Sequence, residues 1–195
     1  QSRQTRPLAL AAPATPPPAA PVVAIRPRDA LRGGRATVPL DGPAPLWTGT
    51  AAGLDRLVPG ADRFEHHDLD PEDLQRNTVL ALSMGPRDTL WVGTAAGLEA
   101  WRLGDGAAFA QPQRRRIGSQ LGMEEPRINA LYHDRGNTLW AGTELEGLKW
   151  LDPATGRFLS YRNDPADPHT LSDNQVSSML VDRTGTLWAG AQFGG

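Results

Sequence analysis

The stretch TLWVGTAAGLEAW, residues 89–101, contains a Leu-Trp-x-Gly phrase that occurs four times along the chain. The other copies read PLWTGTAAGL from Pro45, TLWAGTELEGL from Thr138 and TLWAGAQFGG from Thr186. The tryptophans of the phrase stand at positions 47, 91, 140 and 188, so successive copies are 44, 49 and 48 residues apart. This period is typical of four-stranded propeller blades, and no helical periodicity occurs between the copies.

Each unit contains four short β signals. An alternating apolar run precedes the tryptophan by about twelve residues, as in VLALSM from Val79 and INALYHD from Ile128. Turn residues such as DRGNT from Asp134 then lead into the Leu-Trp-x-Gly strand. A third strand is predicted to begin at Leu54, Leu98 and Leu148, and a fourth is predicted around Phe64, Phe109 and Phe158. The sequence therefore predicts an all-β fold of four-stranded antiparallel blades.

The repeated phrase has a physical explanation in strand geometry. Side chains alternate between the faces of a strand, so Trp91 and Gly93 share one face while Leu90 and Val92 share the other. Both faces are apolar or small, which predicts a strand buried between two neighbouring blades. The indole fills the space between sheets, and the glycine leaves room for a bulky group from the adjacent blade. The residues assigned to this packing are Leu46, Trp47, Gly49, Leu90, Trp91, Gly93, Leu139, Trp140, Gly142, Leu187, Trp188 and Gly190.

Composition narrows the possible functions. The 195 residues carry a formal net charge of only −2, spread along the chain, so no field favours nucleic acid or an anionic membrane. The absence of cysteine excludes disulfides, thiolate nucleophiles and cysteine-ligated zinc. No apolar run approaches the ~20 residues of a membrane-spanning helix. We expect no cofactor and no nucleic-acid partner.

The chain divides into two regions. Residues 1–33 are rich in proline and alanine and are predicted to form a disordered linker. Residues 34–195 are predicted to form about three and a half blades, an incomplete ring with boundaries at 34–76, 77–125, 126–174 and 175–195. The sequence opens without methionine and stops within a phrase, so we expect a fragment of a longer protein. An isolated fragment of this kind is expected to form an open arc or to self-associate through its open blade edges.

One segment resembles a known family. The stretch NDPADPHTLSDNQVSSMLVDRTGTLWAGAQFGG, from Asn163, resembles the two-component regulator propeller repeat, and LKWLDPATGRFLSYRNDPADPHTLS, from Leu148, is similar to its second half. That repeat builds the extracytoplasmic sensor of bacterial hybrid histidine kinases and related signalling proteins. The resemblance implies a periplasmic sensing module of an inner-membrane protein, which would reach the membrane only through a C-terminal segment outside this sequence. Histidine kinase activity would belong to that parent, and we expect no enzymatic activity in this chain.

Candidate ligand residues lie where long connections enter the first strand of each blade. Asn77, Arg127, Asn174 and Gln175 stand next to these strands, near the predicted central channel. They could hydrogen-bond to a small polar ligand such as a saccharide. The competing interpretation is backbone capping by the asparagines and ordinary solvation of the arginine, and it is favoured for any single residue.

Other polar clusters favour a structural role. His66, His67, Asp68 and Asp70 suggest a metal site, but adjacent side chains on a strand point to opposite faces, so no metal is predicted. The RRR run from Arg114 is interpreted as a solvated loop. No serine elbow accompanies a histidine, so no hydrolytic triad is predicted. Three functions remain open: a non-catalytic sensor, a propeller enzyme acting on polysaccharide, and a protein-interaction scaffold.

Overall fold

The computed structural model describes residues 23–25, 46–57, 63–103, 112–124, 126–134 and 136–193. Within these ranges the chain forms four antiparallel sheets in sequence order. Sheet 1 contains β1 (Val23–Ile25), β2 (Leu46–Thr50), β3 (Gly53–Leu57) and β4 (Phe64–His67). Sheet 2 contains β5 (Val79–Gly85), β6 (Thr89–Thr94), β7 (Gly97–Arg102) and β8 (Gln113–Ile117). Sheet 3 contains β9 (Ile128–His133), β10 (Leu139–Thr143), β11 (Leu148–Leu151) and β12 (Phe158–Tyr161), and sheet 4 contains β13 (Val176–Val181) and β14 (Leu187–Ala191).

The sheets are arranged as propeller blades. Each complete sheet keeps the chain order of its strands, as a meander does. The first strands β1, β5, β9 and β13 contact one another in turn, so they form the inner side of an arc. Short helical turns, α1 (Leu74–Asn77) and a 3-10 turn at Ser119–Leu121, lie in the connections between sheets. The predicted all-β partial propeller is confirmed.

The glycine of each phrase receives a side chain from the next blade. Gly93 is so close to Ile128 that an added Cβ would lie 2.6 Å from Ile128 Cγ2. Gly142 has the same relation to Val176, whose Cγ1 would lie 2.8 Å from the added Cβ, and Gly49 has it to Val79. These three β-branched residues begin the inner strands of the following sheets and are at most 1% exposed. The predicted glycine pocket for a neighbouring blade is therefore present at all three interfaces.

The tryptophans fill the space beside these pockets. Trp47 is fully buried in a cluster that includes Leu90, Val92 and Trp101 of sheet 2. Trp91 also packs against the next sheet, at the cluster that contains Leu139 of sheet 3, but it is only half-buried. Burial of one indole corresponds to roughly 4 to 6 kcal/mol of transfer free energy. The sheet-to-sheet interfaces are therefore the main apolar core of the described residues.

The fourth copy of the phrase differs from the others. Trp188 was expected to be buried, but it is 60% exposed, and Leu180 opposite it on β13 is 66% exposed. The physical reason is that no sheet within the described residues covers this face of sheet 4.

Two strands differ from the sequence expectation. The strand paired with β2 is Val23–Ile25, inside the segment predicted to be a disordered linker, so the first blade begins earlier than residue 34. Two of its three residues, Val23 and Ile25, are β-branched and have high β propensity despite the proline-rich surroundings. The outer strand of sheet 2 is Gln113–Ile117, whereas Phe109, around which it was predicted, lies outside the described residues. Sheets 2 to 4 otherwise fall within the predicted ranges.

No helix in the described part of the chain is both long enough and apolar enough to span a membrane.

Candidate functional site

The connections between sheets and the turns after the Leu-Trp-x-Gly-Thr strands meet on one side of the arc, which we call the loop face. It comprises the connections 68–78, 118–124 with 126–127, and 162–175, and the turns 50–53, 94–97 and 143–147. A repeated backbone hydrogen bond joins the residue before the first strand to the residue after the second strand in sheets 2, 3 and 4. Ala95 N donates to Thr78 O over 3.0 Å, Glu144 N to Arg127 O over 3.1 Å, and Gln192 N to Gln175 O over 3.0 Å. The loop face is thus a continuous surface built in the same way from blade to blade.

This repeated bond aligns the blades and shows that the four candidate residues occupy two positions, each of which recurs from one blade to another. Arg127 and Gln175 correspond to Thr78, directly before an inner strand. Asn77 and Asn174 stand one residue earlier. The structure therefore brings all four to the entry of the inner strands, as the sequence predicts, but in successive blades rather than in one cluster.

Asn77 stabilises the connection between sheets 1 and 2 through side-chain hydrogen bonds. It is 8% exposed, and its Oδ1 accepts a hydrogen bond from Leu69 N at 2.9 Å. Its Nδ2 donates to Ala52 O at 2.9 Å and to Asp68 Oδ1 at 3.3 Å. Both ends of the amide are engaged within the protein, so the capping interpretation describes this residue.

Asn174 repeats this arrangement two blades further on. Its Oδ1 accepts from Asn163 N at 2.8 Å, and its backbone oxygen accepts from Gly147 N at 2.9 Å. Within the same connection, the Thr170 hydroxyl accepts from Asp164 N at 2.9 Å. The long polar loop is thus ordered by its own side chains.

Among the four candidates, Arg127 has the most side-chain donors left for a ligand. It is half-buried, and its Nε donates to Asn129 Oδ1 at 3.3 Å. Asn129 Nδ2 in turn donates to Val176 O of the next inner strand at 3.3 Å. Gln175 Nε2 bonds to Gln192 Oε1. An arginine directly before an inner strand and beside a neighbouring blade can donate hydrogen bonds to a polar ligand.

The two adjacent histidines point to opposite faces of β4, as predicted. His66 is exposed, and its ring nitrogens lie 2.7 Å from Asp55 Oδ1 and 3.2 Å from Asp68 Oδ1. The hydrogen bond to Asp55 raises the pKa of His66 above its usual value. No group of three or more potential metal ligands comes together in the ranges that the structure describes.

His67 lies between two indoles at the interface of sheets 1 and 2. Its ring centroid is 5.5 Å from that of Trp47 and 5.9 Å from that of Trp101. Burial lowers the pKa of His67, and the charge of Arg56 lowers it further. His67 therefore belongs to the core between blades and not to the loop face.

The RRR run is not a solvated loop. It lies in β8, where Arg114 and Arg116 both contact Glu99, which is buried and also accepts from Trp101 Nε1 at 2.8 Å. Arg114 donates to the carbonyls of Asp68 and Leu69, and Arg116 pairs with Asp70 at 2.8 Å. The hydrogen bond from Arg116 lowers the pKa of Asp70. The charged strand is explained by the buried carboxylate that it neutralises, and it ties the first connection to sheet 2.

The sequence analysis did not identify a buried charged residue in sheet 3, Lys149. Lys149 is buried, its Nζ lies 2.7 Å from Glu146 Oε2, and it donates to Gly122 O at 3.1 Å. It opposes Ala141 just as Glu99 opposes Val92, so the two charged residues occupy the same blade position. The signal in the sequence is the charged residue that follows Gly-Leu in each third strand.

The family described as "Two component regulator propeller" matches residues 170–192. The extracellular domain of a hybrid two component system from B. thetaiotaomicron is 24% identical over 77% of this chain, with a TM-score of 0.64. The extracellular domain of a one component system from the same organism is 22% identical over 88% of the chain, with a TM-score of 0.66. The chain spans only 19% and 20% of the lengths of these two solved chains. No curated protein matches.

The fold and the repeated interfaces define a partial β-propeller. Residues 170–192, which run from the last connection through the Leu-Trp-x-Gly strand of sheet 4, are similar to a two component regulator propeller repeat.

Proposed function

We propose that this chain is the ligand-sensing propeller region of an extracytoplasmic, two-component signal transduction protein. The observation that carries the proposal is the two component regulator propeller repeat at residues 170–192. The likeness in fold to solved extracellular domains of two component systems supports it. In this proposal the chain is periplasmic, and the kinase or other output activity belongs to a separate domain.

The role assigned to this region is non-catalytic binding. Several aspartates of the loop face are used in turns: Asp73 Oδ1 accepts from Gln75 N and Arg76 N, and Asp167 Oδ1 accepts from His169 N. Such carboxylates shape the connections and are poorly placed for acid–base chemistry. The proposed ligand is a small polar molecule, with a saccharide as the leading class, contacted by Arg127 and Gln175 on the loop face.

Thermal-shift and calorimetric titration of the 195-residue chain against a panel of oligosaccharides tests this proposal. A ligand at about 100 times its Kd is expected to stabilise the fold by about 2.7 kcal/mol, which raises Tm by roughly 5 to 10 °C. Arg127→Ala is expected to weaken binding at least about tenfold with little change in the Tm of the free protein, since a lost charged hydrogen bond costs about 1.5 to 3 kcal/mol.

Arg157→Ala is the matched control because Arg157 is exposed in the turn between β11 and β12, at the opposite end of the strands from the loop face. Equal loss of affinity in both variants, or a ligand unaffected by Arg127→Ala, would contradict binding at the loop face. Turnover of the saccharide would contradict the non-catalytic role.

A further inference from the structure

The imidazole of His67 lies in an aromatic slot between Trp47 of sheet 1 and Trp101 of sheet 2. The residue is half-buried at the end of β4, and its ring centroid lies 5.5 Å from that of Trp47 and 5.9 Å from that of Trp101. The two indoles meet edge-on, with centroids 6.4 Å apart, and each is at most 1% exposed. A titratable ring therefore stands where the two blades pack together.

Two nitrogen atoms of this slot, Trp47 Nε1 and His67 Nε2, are buried without a hydrogen-bond partner in the described residues. An indole N–H only donates, whereas a neutral imidazole with its proton on Nδ1 accepts at Nε2, so the two atoms are complementary while His67 is neutral. A protonated imidazole donates through both nitrogens. Protonation therefore leaves two buried donors without an acceptor and adds a charge to an apolar space.

The charged and titratable groups around the slot already pair with one another. The pairs are Glu65 with Arg56, Glu99 with Arg114, and Asp55 with His66. Arg56 Cζ lies 6.0 Å from the ring centroid of Trp47, and a second guanidinium, that of Arg114, lies 4.7 Å from the ring of Trp101. A proton on His67 would bring a third cation into this space while each carboxylate is engaged elsewhere. Burial is the main cause that lowers the pKa of His67, and the charge of Arg56 adds to it.

The residues that follow β4 connect the slot to the loop face. Leu69 is 5% exposed and packs in the same cluster as the two indoles. Its N–H donates to Asn77 Oδ1 at 2.9 Å, and its carbonyl accepts from Arg114 Nη2 at 2.6 Å. The His67 carbonyl is so close to Gly53 that a Cβ added there would lie 2.7 Å from it. Because the backbone is confined on both sides of His67, a displacement of this residue is transmitted to the connection 68–78.

We propose that the interface between sheets 1 and 2 is a proton-operated switch that acts on the connection 68–78. While His67 is neutral, its ring stays between the two indoles and the connection keeps its hydrogen bonds. When one proton from solvent adds to Nε2, the ring leaves the slot for water, and the hydrogen bond from Leu69 to Asn77 is released. The closed state holds the neutral ring, so acid favours the open state. The inference is independent of the proposed small-molecule function.

Proton NMR of the intact 195-residue chain tests the position of the ring. At about pH 7.5 the His67 ring is expected to show nuclear Overhauser effects to Trp47 and Trp101, and at about pH 5 these effects are expected to weaken. The Trp47 indole N–H signal should shift with the same midpoint as His67. The exposed Trp188 is the internal control, and its signal should not follow that midpoint. Overhauser effects that persist with a protonated ring, or a ring that stays neutral, would overturn the switch.

Hydrogen exchange tests the effect on the connection. Protection factors correct for the intrinsic pH dependence of exchange, and those of residues 64–69 are expected to fall by roughly 5- to 30-fold between about pH 7.5 and about pH 5. The upper value applies to a histidine that stays neutral in the closed state and titrates near its usual pKa of about 6.5 once released. The Leu69 amide reports the bond to Asn77 directly. Unchanged protection of residues 64–69 would overturn the inference.

Variants without the titratable ring assign the response to His67. His67→Gln keeps a side chain that can accept a hydrogen bond, and its protection factors are expected to change less than about twofold over the same range. His67→Phe is a second non-titrating variant in case glutamine disturbs the fold, and the NMR titration needs neither. His169→Gln is the matched control, because His169 is exposed in the connection 162–175, and it is expected to keep the full response. An equal response in the wild type and a non-titrating variant would overturn the inference.

Discussion

Sheets 1 and 4 contain the same Leu-Trp-x-Gly phrase, but its tryptophan is buried in sheet 1 and exposed in sheet 4. In sheet 1 the phrase LWTGT has Trp47 completely buried beneath sheet 2, whereas in sheet 4 the phrase LWAGA leaves Trp188 60% exposed. The local strand geometry is the same, because both tryptophans lie on a strand that is second in its sheet. Burial is therefore supplied by the following blade and not by the phrase itself.

The largest expected difference between the two sheets concerns the tryptophans. Trp47→Ala is expected to reduce the free energy of unfolding by about 3 to 5 kcal/mol, because it leaves a cavity between two sheets. Trp188→Ala is expected to cost less than about 1 kcal/mol, since an exposed indole loses little buried area. Urea denaturation of both variants measures the difference. Similar losses would mean that the indole stabilises its own sheet rather than the interface.

The glycine pockets give the next largest difference. Gly93→Ala is expected to cost about 1 to 3 kcal/mol, because the added methyl would overlap Ile128 and also approach Ala81. Gly190→Ala is expected to be within about 0.5 kcal/mol of the wild type, since its nearest neighbour is the Ser178 hydroxyl, which can rotate. The same denaturation assay measures both. A costly Gly190→Ala would show that strand conformation, and not the neighbouring blade, requires glycine.

A smaller effect concerns the turn that precedes each phrase. Asp134 Oδ1 accepts from Thr138 N at 2.8 Å, and its Oδ2 accepts from Trp140 Nε1 at 3.0 Å. Sheet 2 has Gly85 at this position, and Trp91 Nε1 is buried without a partner in the described residues. Asp134→Ala is expected to cost about 1 to 2 kcal/mol by removing the turn cap and leaving the Trp140 indole unpaired. A neutral result by thermal denaturation would show that the carboxylate is dispensable, as it is in sheet 2.

The two histidines of β4 predict opposite pH responses. His66 has a raised pKa, so its stabilising effect is complete below about pH 6.5 and is lost as the pH rises through its folded-state pKa. His67 has a lowered pKa, so its favourable neutral state is complete above about pH 6.5, and stability is lost as the pH falls below that value. Proton NMR titration of the imidazoles is expected to show His66 titrating above His67. Asp55→Asn should lower the pKa of His66 and leave that of His67 nearly unchanged; coincident titration would contradict this assignment.

The repeated phrase made the interfaces predictable. The pairing of Gly49 with a bulky residue of the next blade followed from strand alternation, because period and face are both encoded locally. The charged outer strand Gln113–Ile117 was not predictable in the same way, since its arginines are neutralised by Glu99 and Asp70, which are distant in sequence.

The candidate site was predictable in position but not in chemistry. The sequence places polar residues before each inner strand, and the structure has them there. The sequence could not reveal that the Asn77 side chain forms hydrogen bonds with the backbone of Ala52 and Leu69, because those contacts depend on how the connection folds over the preceding sheet. Arg127 differs because its hydrogen-bond partner, Asn129, is only two residues away, on β9.

A double-mutant cycle on Gly93 and Ile128 tests the interface most directly. Ile128→Ala alone is expected to cost about 2 to 5 kcal/mol, because Ile128 is fully buried. If its side chain fills the pocket over Gly93, adding Gly93→Ala should restore part of the lost packing, so the double variant should be more stable than the sum of the single losses by at least about 1 kcal/mol. Additive losses would show that the two residues do not meet, and would contradict the account of how one blade holds the next.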